Sequence, residues 1–303
     1  MEFLRILEGI RNPFLTFIFT IFTEAAGEAV LLGVLCVVFW CVSKKTAYVM
    51  GFAFMGAQMA VNNLKLMFRI DRPWILDPSF KPVESAIKGA SGYSFPSGHT
   101  CAATSIYGTI GSRLKGVGYK IAALVLIFGV MMSRMYLGVH TPLDVCVAFI
   151  VTAVIVVICV LAEAKITFND KIRIAISILF GLLAIASIIF ASVLVSNGTV
   201  EAANASDSCK MAGAAFAFII SWYLETKYIH FNERGCGLLL QIVKVVIGVA
   251  VILGLRMSLK ALFTLGGGDE PLVLGGVRYC VMVFFAMTIY PIIINKFFVK
   301  EKA

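Results

Sequence analysis

From residue 25 onward the chain alternates long apolar runs with short clusters of charged residues, glycine and proline. This pattern predicts helices near 25–43, 47–68, 98–112, 119–137, 142–163, 172–195, 210–225, 237–262 and 276–298. A helix crossing the hydrocarbon core of a bilayer needs roughly 20 apolar residues, and most of these runs suffice. The 98–112 segment is short and polar, and hydropathy alone would not select it. The expected fold is therefore all-α, a polytopic transmembrane helical bundle of about nine spans with its termini on opposite sides. Residues 1–24 read differently: Glu2, Arg5, Glu8 and Arg11 precede a short apolar run, as in an amphipathic or partly inserted helix. No internal repeat, low-complexity tract or long linker breaks the pattern.

Composition strengthens the membrane assignment. Of 303 residues, 60% are hydrophobic and 14% charged, where a soluble domain carries about 25% charged residues. The mean hydropathy is +0.95. The net charge of +9 follows from where the cations sit. Lys44, Lys45, Arg113, Lys115, Lys120, Lys165, Lys171, Arg173, Lys227, Arg234, Lys296, Lys300 and Lys302 fall on one side of the predicted topology. The 196–209 and 263–276 connections on the other side hold Glu201, Asp207, Asp269 and Glu270 and no Lys or Arg. The basic side is expected to be cytoplasmic. The charge is thus a topological bias, and no basic-aromatic surface motif points to nucleic acid. Cys36, Cys41, Cys101, Cys146, Cys159 and Cys280 lie in or beside apolar runs, where cysteine acts as a small hydrophobe. Cys209 faces no loop cysteine, so neither a disulfide framework nor a zinc site is expected.

Polar chemistry concentrates in three blocks, all on the side opposite the basic loops. They are Lys65 through Arg72-Pro73, then Pro96-Ser97-Gly98-His99, then Ser133-Arg134 through His140 to Asp144. The chain has only three histidines, and His99 and His140 fall in these blocks while His230 does not. Ionisable groups beside a membrane mark function unless they anchor at the interface, as Arg69 does on this reading. Two guanidinium forks and an ammonium suit a tetrahedral phosphate dianion. Ser97 reads as the N-cap of a helix whose first N–H groups offer a phosphate site. Thr141 as cap and Pro142 at the first position predict another helix start, which brings Asp144 within reach of one His140 ring nitrogen. The other nitrogen is then free to act as a nucleophile.

The three blocks together resemble the signature of the type 2 phosphatidic acid phosphatase superfamily over residues 65–144, and every signature position is filled. The resemblance implies a metal-independent histidine phosphatase, a phosphoric ester or diphosphate hydrolase with no cofactor and a six-helix catalytic core. Carried over by motif, it implies His140 as nucleophile, His99 as acid and base, and Asp144 as orienter of His140. Lys65, Arg72, Ser97, Gly98 and Arg134 would form the phosphate cradle. On this reading residues 25–170 are the catalytic membrane core, and 171–303 are additional helices similar to those of glucose-6-phosphatase and the sphingosine-phosphate phosphatases. Trp74, directly after Arg-Pro, adds a weak similarity to the former. The expected substrate is a lipid phosphate or pyrophosphate, with undecaprenyl pyrophosphate slightly favoured, presented at the extracytoplasmic or lumenal face. A headgroup transferase, a sugar-phosphate phosphatase and a phosphorylated-lipid transporter are the alternatives. Arg256 and Lys260, four residues apart on one helical face, are candidates for a second phosphate or headgroup. Asn197 and Asn204 lie in sequons, of use only in a eukaryote. Organism, organelle and oligomeric state stay open.

Overall fold

The computed structural model describes residues 1–87, 89–165 and 169–297, which form helices and turns with no strand among them. In chain order the helices are α1 (Glu2–Gly9), α2 (Pro13–Ala25), α3 (Glu28–Val37), α4 (Lys44–Phe68), α5 (Pro73–Leu76), α6 (Glu84–Ile87) and α7 (Gly98–Arg113). They continue as α8 (Val117–Tyr136), α9 (Pro142–Lys165), α10 (Asp170–Ser196), α11 (Ala202–Leu224), α12 (Leu238–Phe263), α13 (Leu272–Phe284) and α14 (Tyr290–Phe297). Wider π-helical turns follow α3, α11 and α13 at Val38–Val42, Glu225–Ile229 and Phe285–Ile289. Lys300 and Lys302, placed on the basic side above, lie outside the described residues, as does the side chain of Lys165.

Among the described residues, α8, α9, α10, α12 and the α13–α14 segment are long and apolar enough to cross a bilayer. The predicted 25–43 span is corrected: it is the second half of a pair, α2 and α3–Val42, bent by 47°. The bend falls at Ala26–Gly27, where the Ala26 N–H turns back to Thr23 O at 3.0 Å. Residues 1–24 are likewise two helices, broken at Asn12, whose side chain caps α2 by accepting from Leu15 N at 2.9 Å. Helices α4 and α11 are less apolar, and α7 is both polar and only 16 residues long. All three pack largely against protein and carry buried Asn62, Thr100, Thr104, Ser105, Thr109, Ser208 and Ser221 in place of leucine and isoleucine.

The chain divides into two compact units, Met1–Leu32 with Phe52–Lys165 and Gly33–Gly51 with the chain from 166 onward. In the first, α7 is the central helix and packs against α8 and α9, with α2 laid along α8. Ala57 and Val61 of α4, Cys101 of α7 and Ile155 of α9 form a small apolar core at its middle. In the second, α11 lies between α10 and α13, approaching α13 so closely at Gly213 that Gly276 leaves no room for a side chain. Fully buried Glu225 accepts from Lys44 Nζ at 2.7 Å, from the Tyr48 hydroxyl and from Phe231 N at 2.8 Å. Three donors, one of them a cation, offset the cost of holding that carboxylate out of water.

Candidate active site

The sequence blocks meet because each ends or begins a helix at the same end of the first unit. Helix α4 stops after Lys65 and Phe68, where Arg69 takes a left-handed conformation (φ +50°) and its N–H returns to Lys65 O at 2.9 Å. Pro73 opens the one-turn α5, with Arg72 as its N-cap. The chain then loops back to α7. Ser94 N bonds Ile70 O at 2.7 Å, Val83 N bonds Leu137 O at 2.9 Å, and Ser97 N bonds Asp144 O at 3.0 Å. Ala86, Ala90, Tyr136, Leu137 and Val139 form the apolar underside of this loop, and Trp74 packs into it beside Val83.

The spacing from Arg134 to His140 has a local cause. Helix α8 ends in a Schellman turn: Gly138 at φ +79° bonds Met135 O at 3.0 Å, and Val139 N bonds Arg134 O at 3.1 Å. A side chain at 138 would meet Arg11 Nη2 at 2.7 Å and the Phe80 ring at 2.9 Å, so both sterics and backbone favour glycine. The turn folds the His140 N–H onto the same Arg134 carbonyl at 3.3 Å. Helix α9 then begins with a capping box. Asp144 Oδ2 accepts from Thr141 N at 2.7 Å, and Thr141 Oγ1 accepts from Asp144 N at 3.3 Å.

His140, Arg134, Asp144 and Ser97 are all buried, with His140 and Arg134 each only 1% exposed. Arg72 Nη1 donates to His140 Nε2 at 2.9 Å and to Val139 O at 2.9 Å. Its Nε and Nη2 donate to Gly92 O at 3.0 Å and Ser91 O at 2.7 Å. Four of its five N–H groups are thus engaged, so here Arg72 clamps the 91–92 loop onto the His140 turn. Because a guanidinium only donates, Nε2 is the accepting nitrogen and the ring proton belongs on Nδ1.

The expected direct bond from His140 to Asp144 is replaced by a bridged one. Nδ1 lies 3.4 Å from Asp144 Oδ2 and 3.4 Å from Ser94 Oγ, while Ser94 donates to that oxygen at 2.6 Å. The capping box already turns Oδ2 toward Thr141, and the buried Ser94 hydroxyl sits between carboxylate and ring. Ser94 precedes the second motif, and a lone serine carries no signal that would have singled it out. Burial, with Arg72, Arg134, Lys65 and His99 around it, pushes the His140 imidazole well below its ordinary 6.5. Burial likewise pulls the Arg72 guanidinium down to about 10, against the nearby Asp144 charge.

The remaining positions fall around this pair. Lys65 Nζ donates to Tyr93 O at 3.1 Å. Ser97 caps α7, accepting from Thr100 N at 3.4 Å and Thr100 Oγ1 at 3.1 Å, which leaves its own proton to donate. Gly98 O accepts from Gln58 at 3.3 Å. His99, in the first turn of α7, is half-buried and within electrostatic reach of Arg134, Lys65 and Arg72. Arg134 donates from Nη1 to Thr23 Oγ1 at 3.1 Å, and its Nε and Nη2 meet no protein acceptor. Arg256 and Lys260, in the last turns of α12, belong to the second unit, where Lys260 is within electrostatic reach of Glu270.

Buried Arg72 and Arg134 thus surround a hydrogen-bonded histidine at one end of the first unit's helices, in a chain with several helices of membrane-crossing length. Comparison with family models agrees: residues 46–168 match the PAP2 superfamily, and residues 209–302 match the transmembrane extension of PAP2 superfamily phosphatases. The chain belongs to the PAP2 superfamily, whose members include membrane phosphatases. No curated protein and no solved structure gives a significant match.

Proposed function

We propose that this protein removes phosphate from a phosphorylated or pyrophosphorylated lipid at the extracytoplasmic or lumenal face, through a phosphohistidine on His140. The observation that carries this reading is Arg134: a fully buried guanidinium whose Nε and Nη2 nitrogens lack a protein acceptor. Buried guanidinium donors without an acceptor are costly, and a bound anion is their natural partner. Lys65 and the N-terminus of α7 add further donors for the phosphoryl oxygens, whose charge grows in the transfer.

In this mechanism an incoming phosphate oxygen takes over the Arg72 N–H that now meets Nε2, which frees the Nε2 lone pair. Nε2 attacks phosphorus as the bond to the lipid oxygen breaks, and His99 gives its proton to that oxygen. His99 then takes a proton from water, and the resulting hydroxide breaks the phosphorus–nitrogen bond. Asp144, through Ser94, keeps the ring proton on Nδ1 throughout. The cations are lysine and arginine side chains, so turnover should survive EDTA.

The decisive measurement is phosphate release by purified protein in detergent with EDTA, from a short-chain phosphatidate and from a polyprenyl diphosphate. The His140→Ala variant should release none and form no acid-labile phosphoenzyme. His99→Ala should accumulate the adduct from a substrate with a good leaving group. Labelled adduct in His140→Ala, or chelation-sensitive turnover restored by magnesium, would overturn the mechanism.

A further inference from the structure

The N-terminal helix α2 lies outside both matched family segments, yet it reaches the motif residues. Thr23 is buried, with its hydroxyl 2.9 Å from Ser133 Oγ and 3.1 Å from Arg134 Nη1. The directions of these bonds are forced. Arg134 can only donate, and the Ser133 proton goes to Val130 O at 2.7 Å. Thr23 therefore accepts from Arg134 and donates to Ser133, which makes one polar chain from the guanidinium through two hydroxyls to a helix carbonyl.

The helix and the two residues leading into it, Arg11 and its cap Asn12, grip the other end of that turn. Arg11 Nε donates to Tyr136 O at 2.9 Å, Asn12 N donates to the Tyr136 hydroxyl at 3.1 Å, and Phe19 packs on the Tyr136 ring at 4.4 Å. Phe22 fills the space over Gly129 one turn below. The carboxylate of Glu24, in the last turn of α2, is within electrostatic reach of Arg134. The Arg134 N–H tied to Thr23 orients the fork, and Nε and Nη2 are left for a ligand.

We propose that Thr23 is a positioning residue for Arg134, and that α2 completes the phosphate cradle by holding the Ser133–Tyr136 turn. This rests on the phosphatase reading above. Removing the hydroxyl leaves Arg134 free to swing, so the penalty should appear in anion binding and in the transition state more than in folding.

The test uses the full-length protein in detergent, with orthovanadate as the phosphate mimic and p-nitrophenyl phosphate as substrate. Thr23→Val, nearly the same shape, should raise the vanadate inhibition constant and lower kcat/KM together by about tenfold, the usual worth of a bond to a charged group. Thr23→Ser should return both to within about twofold of the parent. Against an Arg134→Lys background, Thr23→Val should add little, because the bond it removes is already changed. If Thr23→Val matches the parent in both constants, or costs the same tenfold beside Arg134→Lys, Thr23 does not act through Arg134. If Thr23→Val fails to fold, as shown by its melting curve, parent-like constants in Thr23→Ala would overturn the proposal just as well. Failure of the phosphatase reading looks different: the parent itself would resist vanadate and release no nitrophenol.

Discussion

Ser94 shows how much of the site depends on a single hydroxyl. It stands between His140 Nδ1 and Asp144 Oδ2, with its own N–H held by Ile70 O. Ser94→Ala should lower the rate of phosphoenzyme formation about ten- to hundredfold, because a buried carboxylate loses a donor and the ring loses its orienting acceptor. KM should change little, and rapid-quench measurement of the adduct is the check; an unchanged rate would leave Ser94 a packing residue only. His140 carries a second prediction. Its pKa is depressed in the fold by burial and the surrounding cations, while the unfolded ring titrates near 6.5. A depressed histidine contributes stability that is intact above that unfolded value and is lost as pH falls below it. The melting temperature should therefore drop from pH 7 to pH 5, and His140→Gln should show a shallower drop. Parallel curves for parent and variant would show that the ring titrates alike in the folded and unfolded protein. The motif residues were legible because their types and spacings are jointly improbable. Ser94 and Thr23 were not, because one serine and one threonine among apolar neighbours look like any others.

Helix ends decide the geometry at the next scale. Thr141-Pro142-Leu143-Asp144 announced its capping box in the sequence, whereas the αL turn at Gly138 became visible only once α8 was seen to end at Tyr136. Hydropathy passes over α7 for the same reason that it selects α9 and α12. It measures preference for lipid, and α7 is largely buried among its neighbours. The α11–α13 crossing gives a direct test. A side chain on Gly213 collides with the Gly276 backbone, whereas one on Gly254 of α12 meets open space. Gly213→Val should force the helices apart at a cost of about 1–3 kcal/mol and reduce the folded yield. Gly254→Val is the control and should melt like the parent; equal melting of both variants would show that the crossing tolerates separation.

For the whole molecule, charge asymmetry between loops predicts the orientation in the membrane. Substituted-cysteine labelling in intact cells should reach positions 75–95 and 197–208 with an impermeant reagent, and should reach position 230 only after permeabilisation. Labelling at 230 without access at 85 would invert the topology and move the site to the cytoplasm. The N-terminus shares the end of the first unit that holds the site. Arg5 pairs with Asp77 at 2.7 Å, and Glu8 accepts from Lys81 N at 3.0 Å, both in the loop above the histidine.

By itself the sequence determined the class of this protein. Apolar runs of bilayer length leave no soluble alternative, and three blocks of improbable residue types pick out a phosphate chemistry. Both are properties of short stretches of chain, so both can be read locally. Only the tertiary structure decided how the blocks are joined. It set Ser94 between His140 and Asp144, spent most of Arg72 on carbonyls of the loop, and brought Thr23 from a remote helix to Arg134. It also grouped residues 33–51 with the C-terminal half of the chain. These contacts join residues 19 to 111 positions apart, and their energies depend on burial and hydrogen-bond direction, which no local pattern encodes.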